Sequence, residues 1–255
     1  MNIGRRAGLG SSLALTAAGS EPRIGHAAAA TKAITFLLVH GAWHGGWCWQ
    51  RVVDILVKRG HTVHAPTLSG VGERSHLSSE RINLSTHVLD IVNEVKWKDL
   101  DNIVLCGHSY GGMVITGAVE RIHERVASIV YLDAFVPQNG QSLNDIAGVA
   151  RPDGMVAPIT AEQFNVNAAD RAWVNAKMTP QSGACFSERL AVTGVLNKVA
   201  RKAYVKARVG SSPHFTANYD RLSKDGSWQT YEVDCGHDVM IDKPQELADI
   251  LLKSA

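Results

Sequence analysis

The stretch Val104-Leu105-Cys106-Gly107-His108-Ser109-Tyr110-Gly111-Gly112 decides the fold of this chain. An apolar strand runs into Gly-x-Ser-x-Gly, the pattern of a serine held on a sharp turn between a strand and a helix. Glycine stands two residues to either side of Ser109 because the chain folds back too tightly for a side chain there. The pattern predicts that Ser109 is a nucleophile whose hydroxyl is exposed on a strained turn.

A glycine-rich loop lies upstream of this turn. The apolar stretch 33–39 has the length of a buried strand, and it ends in His-Gly-Ala-Trp-His-Gly-Gly-Trp at residues 40–47. Such a loop can direct a backbone N–H at a developing oxyanion, and the N–H after the nucleophile supplies a second donor. We therefore expect Ala42 and Tyr110 to form an oxyanion hole. The alternative interpretation is an ordinary turn between a strand and a helix.

A serine hydroxyl is a poor nucleophile until an imidazole accepts its proton. Of the 11 histidines, His237 follows a predicted strand at 226–233 and precedes a helix that begins near Pro244. We expect His237 to be this base. The competing histidines near the two motifs are His40, His44 and His108.

The two motifs together resemble those of the α/β-hydrolase superfamily, with a resemblance that extends from Ile34 to Leu252. Residues 40–47 and 107–113 are similar to those of small esterases and lyases related to plant methylesterases and hydroxynitrile lyases. The resemblance implies that bacterial members of this group are the nearest relatives. The resemblance implies an α/β fold with a mostly parallel sheet flanked by helices. It also implies an inserted lid and catalysis without a metal or an organic cofactor.

The acidic member of a Ser-His-Asp triad is less easily assigned. In the superfamily it most often follows the next-to-last strand, here 202–207, but the first acid after that strand is Asp220. Asp133 instead ends the strand that follows the nucleophile helix, where some members carry their acid. A right-handed crossover makes that strand a parallel neighbour of the nucleophile strand, about 4.8 Å away. We expect Asp133 to orient His237, with Asp220 and then Asp234 as alternatives.

The domain organisation follows from these assignments. We expect one hydrolase core formed by residues 31–136 and 200–255, interrupted by a lid at 137–199 in which helices occupy 168–177 and 187–198. Aromatic and methionine residues of such an insertion are often its own core, but some can line a pocket. The candidate substrate-pocket residues are His44, Phe164, Trp173, Met178, Phe186, His214 and Phe215.

The charge and hydrophobicity of the sequence limit the kinds of partner that the protein can bind. The net charge is +2 and no basic run exceeds two residues, which argues against nucleic acid, and no apolar stretch is long enough to span a membrane. Residues 1–30, with Arg5-Arg6 before a run of small residues, predict an N-terminal extension or an export signal. The protein is then cytoplasmic or exported to the bacterial periplasm. We expect the 4 cysteines to be free thiols, with Cys106 buried.

The leading hypothesis is a serine hydrolase that cleaves a small, largely hydrophobic carboxylic ester through an acyl-enzyme intermediate. A hydroxynitrile lyase is one alternative, but in similar lyases a lysine follows the catalytic histidine and Asp238 stands there in this chain. A second alternative is a non-catalytic sensor of a small ligand on the same fold.

Overall fold

A six-stranded sheet forms the centre of the computed structural model, which describes residues 33–149 and 154–255. The expected N-terminal extension, residues 1–30, lies outside the described residues. The strands are β1 (Thr35–Val39), β2 (Thr62–His64), β3 (Ile103–His108), β4 (Val126–Leu132), β5 (Met155–Val156), β6 (Gln181–Ser182), β7 (Arg201–Ala207) and β8 (Trp228–Val233). The helices are α1 (Gln50–Lys58), α2 (Leu84–Trp97), α3 (Gly111–Ile122), α4 (Leu143–Ala147), α5 (Arg171–Lys177), α6 (Ala184–Ser187), α7 (Pro213–Leu222), α8 (Val239–Asp242) and α9 (Pro244–Lys253).

The strands of the main sheet follow the order β2-β1-β3-β4-β7-β8, and every neighbouring pair is parallel. In the register of β3 and β4, Gly107 pairs with Tyr131 and His108 pairs with Leu132. The two strands therefore end level with each other, and the residues that follow them meet at one edge of the sheet. The predicted fold class, with β3 and β4 as parallel neighbours, is confirmed.

The central strands are apolar because helices cover both faces of the sheet. All six residues of β3 are buried, as are four of the five residues of β1. Helix α1 packs against α9, and α2 packs against α3. Helix α2 begins at a capping box in which Asn83 and Thr86 exchange side-chain and backbone hydrogen bonds, which fixes where the helix starts.

The segment between β4 and β7 departs from the alternation of strands and helices. It contains α4, α5, α6 and a short antiparallel pair formed by β5 and β6. The helix predicted at 168–177 is present but shorter, as α5, which begins at Arg171. Residues 150–153 of this segment lie outside the described residues, and its role as a lid stays a prediction.

The helix predicted at 187–198 is wrong. Within that range α6 ends at Ser187, and only Val195–Lys198 is helical after it, as a single 3-10 turn. Gly194 before this turn has a φ of 88° that does not continue a helix. The Glu188 carboxylate accepts hydrogen bonds from the amide and the hydroxyl of Ser85 at 2.8 and 2.6 Å. These tertiary contacts hold the chain in an irregular path against α2.

The cysteines are buried free thiols. Burial raises the pKa of Cys185 and of Cys235 to about 12, and it raises the pKa of Cys106 further. Because the thiolate is the reactive form, these three thiols are unreactive at neutral pH. Among the helices of the described ranges, none is both long enough and apolar enough to cross a bilayer.

Candidate active site

Ser109 lies in the turn between β3 and α3 with a φ of 53°, a conformation that is strained for a residue with a Cβ atom. The neighbouring glycines are required by close backbone packing. A Cβ at Gly107 would lie 2.7 Å from the carbonyl oxygen of Gly111, and a Cβ at Gly111 would lie 2.8 Å from the carbonyl oxygens of Val39 and His40. The motif therefore builds the tight turn that the sequence predicts.

His237 and Asp133 are in direct contact. His237 lies in the loop after β8, and its Nδ1 is 2.6 Å from Oδ2 of Asp133, whose side chain is fully buried. An ionised carboxylate only accepts hydrogen bonds, so Nδ1 carries the hydrogen and Nε2 is left with a lone pair. Ser109 and His237 border the same cavity. An imidazole in this tautomer can accept a proton from a serine hydroxyl.

The second carboxylate oxygen of Asp133 has its own donors. Oδ1 accepts hydrogen bonds from the amide of Ala207 and the hydroxyl of Ser211, both at 3.2 Å. These donors come from β7 and the turn that follows it, where the superfamily commonly carries its acid. Asp220 lies exposed on α7, and Asp234 lies exposed after β8. Of the three acids, only Asp133 contacts His237 within the described part of the chain.

Two phenylalanine rings enclose the His237 imidazole. Phe164 and Phe215 stack on it with ring centroids 5.2 and 5.3 Å away and interplanar angles of 25° and 4°. The His237 amide also donates a hydrogen bond to the carbonyl oxygen of Phe164 at 2.9 Å. The segment that carries Phe164 therefore restricts both the ring and the backbone of His237.

The two amides expected in the oxyanion hole belong to residues that border the cavity, Ala42 and Tyr110. Among the residues that the structure describes, neither amide donates a hydrogen bond to a protein group. The Tyr110 phenol is anchored below the cavity by Nδ1 of His87 at 2.9 Å, while Nε2 of His87 donates to the carbonyl oxygen of Ser69 at 2.9 Å. Burial lowers the pKa of His87, so its neutral form can accept from the phenol.

The cavity at Ser109 has a volume of about 330 Å³ and mostly apolar walls. Four of the predicted pocket residues border it: Phe164, Phe186, His214 and Phe215. The prediction missed Trp43, Phe135, Leu143, Ile159 and Gln163. Trp43 follows Ala42, and Phe135 is two residues beyond Asp133, so their closeness in sequence to site residues was an available signal. The other three lie in the irregular segment, where no sequence pattern indicates which side chains face inward.

Three predicted pocket residues lie elsewhere. His44 is buried behind the cavity, with its Nε2 3.1 Å from Oδ2 of Asp238. Trp173 packs edge-on against Trp47 with ring centroids 5.1 Å apart. Met178 directly follows α5 and is buried in the hydrophobic core. Each of these three side chains packs against another apolar or charged group and therefore does not border the cavity. No group of three or more His, Cys, Asp or Glu side chains in the described ranges could hold a metal ion.

Comparison with known proteins identifies the family. The sequence profile described as the alpha/beta hydrolase family matches residues 36–250. The chain belongs to this family. A carbendazim hydrolyzing esterase from Nocardioides sp. (strain SG-4G) is 43% identical over 239 residues, covering 85% of this chain and 97% of that protein. Methylesterase 1 from Arabidopsis thaliana is 28% identical over 147 residues, covering 57% of this chain and 51% of that protein.

A solved structure supports the same fold. An extracellular alpha/beta-hydrolase from a Paenibacillus species, described as sharing homology with tobacco salicylic acid binding protein 2, superposes with a TM-score of 0.73. It is 23% identical, and the match covers 87% of this chain and 99% of that one. The expected relation to esterases of the methylesterase group is confirmed, and so is the expected enzyme class, an ester hydrolase.

Proposed function

We propose that the protein is a serine hydrolase that cleaves a small carboxylic ester with an aromatic or otherwise apolar group through an acyl-enzyme intermediate. The observation that carries the proposal is the 2.6 Å contact between His237 Nδ1 and Asp133 Oδ2 beside the cavity that Ser109 borders. Ser109 is the nucleophile, His237 the general base and acid, and Asp133 the group that orients the imidazole.

Acylation begins when the Ser109 hydroxyl oxygen attacks the ester carbonyl carbon and its proton passes to Nε2 of His237. The carbonyl oxygen becomes an oxyanion that accepts hydrogen bonds from the amides of Ala42 and Tyr110. Each such donor is worth about 3 kcal/mol to the transition state. As the intermediate collapses, the bond to the alcohol oxygen breaks and His237 protonates the departing alcohol.

Deacylation repeats these steps with water as the nucleophile. His237 takes a proton from water, the hydroxide attacks the acyl carbon of the Ser109 ester, and the second oxyanion occupies the same hole. The carboxylic acid leaves as the serine oxygen regains its proton from His237. The stacking of Phe164 and Phe215 on the imidazole keeps it in one orientation through both half-reactions.

The cavity favours an aromatic substrate of limited size. Its apolar walls include the rings of Trp43, Phe135 and Phe186, while Gln163 and His214 add polar edges that can orient one hydrogen-bonding group. A volume of about 330 Å³ is at the lower end of small-molecule sites. The relative at 43% identity is named for the hydrolysis of carbendazim. We infer that an aryl ester or an aryl carbamate is a better substrate than a long-chain alkyl ester.

The lyase alternative is disfavoured by the residue after His237. In the similar lyases a lysine at this position helps to bind the nitrile, whereas Asp238 is fully buried and faces His44. No cation is therefore available at that position to receive cyanide.

The test is hydrolysis of a series of p-nitrophenyl esters, from the acetate to the decanoate. The p-nitrophenyl ester of phenylacetic acid and carbendazim are the two aromatic probes. Native protein, Ser109→Ala and the exposed-site control Ser223→Ala are purified and assayed identically. We expect native protein and Ser223→Ala to turn over these substrates and Ser109→Ala to turn over none. We also expect the p-nitrophenyl ester of phenylacetic acid to be hydrolysed faster than p-nitrophenyl decanoate. A folded native protein with no turnover on any probe, or an active Ser109→Ala, would refute the proposal.

A further inference from the structure

A second contact between a carboxylate and an imidazole lies behind the candidate active site. His44 Nε2 is 3.1 Å from Asp238 Oδ2, and their side chains are 1% and 0% exposed. Neither residue is among those that border the cavity in the described part of the chain. A substrate held there does not touch them, and the proposed mechanism gives them no chemical step.

The partners of His44 define its charge. Nδ1 lies 2.7 Å from the carbonyl oxygen of Ala42, and Nε2 faces the Asp238 carboxylate. Both partners only accept hydrogen bonds, so both ring nitrogens carry hydrogen and His44 is an imidazolium. Burial opposes this charge, but the attraction of Asp238 raises the pKa of His44. Burial likewise opposes the Asp238 carboxylate, but attraction to His44 lowers the pKa of Asp238 to about 2.

The pair joins two loops that the proposed mechanism needs. One ring nitrogen of His44 holds the backbone of Ala42, an oxyanion-hole residue, and Asp238 directly follows His237 in the chain. His108, the residue before Ser109, adds a third link, since its Nε2 lies 3.0 Å from the carbonyl oxygen of His237 and 3.8 Å from Asp238 Oδ1. The oxyanion loop, the nucleophile strand and the general-base loop are therefore connected behind the cavity.

We propose that His44 and Asp238 are positioning residues that hold the oxyanion-hole loop and the His237 loop at a fixed separation. This inference rests on the proposed serine mechanism. An asparagine at position 238 could still donate to Nε2 of a neutral His44, so both contacts would survive that change. A leucine there leaves Nε2 without a partner and breaks the link between the Ala42 carbonyl and residue 238. A displacement of about 1 Å between reacting groups can cost roughly 100-fold in rate.

The variant Asp238→Leu tests the pair, because leucine has the branched skeleton of aspartate but can neither accept a hydrogen bond from His44 nor donate one to it. Asp234→Leu, at an exposed carboxylate in the same loop, is its matched control. Steady-state hydrolysis of p-nitrophenyl butyrate is measured beside Ser109→Ala. We expect Asp238→Leu to lower kcat by roughly 10- to 100-fold with KM changed by less than about threefold. Asp234→Leu is expected to leave both kcat and KM unchanged. Nitrogen-15 NMR of the histidines is expected to detect two protonated ring nitrogens on His44 at neutral pH in native protein and one in Asp238→Leu.

If Asp238→Leu does not fold, the double variant His44→Leu/Asp238→Leu leaves neither an unpaired imidazole nor a buried charge at the pair. It is expected to show the same loss of kcat as the single variant, because the two residues act as a unit. Native kcat in either folded variant, a change confined to KM, or a neutral His44 in native protein would overturn the positioning role. Turnover that persists in Ser109→Ala would instead refute the serine mechanism and the positioning role together.

Discussion

Replacing Asp133 with asparagine changes one oxygen to an amide nitrogen, and the surrounding donors dictate which way that amide turns. Oδ1 of Asp133 receives hydrogen bonds from the Ala207 amide and the Ser211 hydroxyl. An amide nitrogen placed there would face two donors, so the asparagine oxygen takes that position. Its nitrogen then lies where Oδ2 contacts His237 Nδ1, at 2.6 Å in the native protein.

The asparagine nitrogen donates to Nδ1, which forces the hydrogen of the imidazole onto Nε2. His237 in this tautomer cannot accept the proton of Ser109. We expect kcat to fall by about 10³- to 10⁴-fold, as for the equivalent substitution in Ser-His-Asp proteases. The loss corresponds to about 4 to 5.5 kcal/mol of transition-state stabilisation. The variant keeps the shape of the side chain, so the fold is retained.

The assay is p-nitrophenyl butyrate hydrolysis by Asp133→Asn, with circular dichroism to verify folding. Asp220→Asn and Asp234→Asn remove the two alternative acids from exposed positions and serve as controls. We expect both controls to retain native kcat. If Asp133→Asn stays within about tenfold of native while Asp220→Asn or Asp234→Asn is inactive, the assignment of the orienting acid is wrong.

Three further predictions concern stability and specificity. The Asp238 contribution to stability is present above its ordinary pKa and is lost as pH falls toward about 2, while the His44 contribution is lost as pH rises through its raised pKa. The difference in Tm between native protein and Asp238→Leu is therefore largest between about pH 4 and 6.5, and a pH-independent difference would contradict the pairing. Gly111→Ala puts a Cβ 2.8 Å from two carbonyl oxygens, so we expect a loss of about 1 to 3 kcal/mol in urea unfolding. Gly226→Ala, which meets no atom within 4 Å, is the control, and equal stability of the two variants would count against the close packing. Phe186→Leu removes part of the cavity wall, so the p-nitrophenyl ester profile is expected to shift toward longer acyl chains; an unchanged profile would mean that Phe186 does not limit the substrate.

The parts of the fold that sequence predicts well are those with strong local signals. β1 and β3 are continuous apolar strands, and the glycines around Ser109 require one particular turn. The place of Asp133 followed from topology, since β3 and β4 are linked by one helix and must end side by side. These inferences depend only on short-range sequence patterns and on the right-handedness of the crossover connection.

The inserted segment resisted prediction because tertiary contacts decide its conformation. The apolar pattern at 187–198 has helical spacing, yet Gly194 and the contacts of Glu188 with Ser85 favour an irregular path. The prediction that His44 lines the substrate pocket failed for the same reason, a long-range contact. Its position beside the oxyanion loop indicates a pocket residue, but its partner Asp238 is 194 residues away and could not be identified from sequence.

Trapping the acyl-enzyme tests the role of Ser109 as nucleophile directly. Native protein and Ser109→Ala are mixed with p-nitrophenyl butyrate, quenched in acid within the burst phase, digested and mapped by mass spectrometry. We expect a butyryl group on the hydroxyl oxygen of Ser109 in native protein and no acylated peptide in Ser109→Ala. Release of p-nitrophenol without an adduct on Ser109, or with an adduct on another residue, would contradict it.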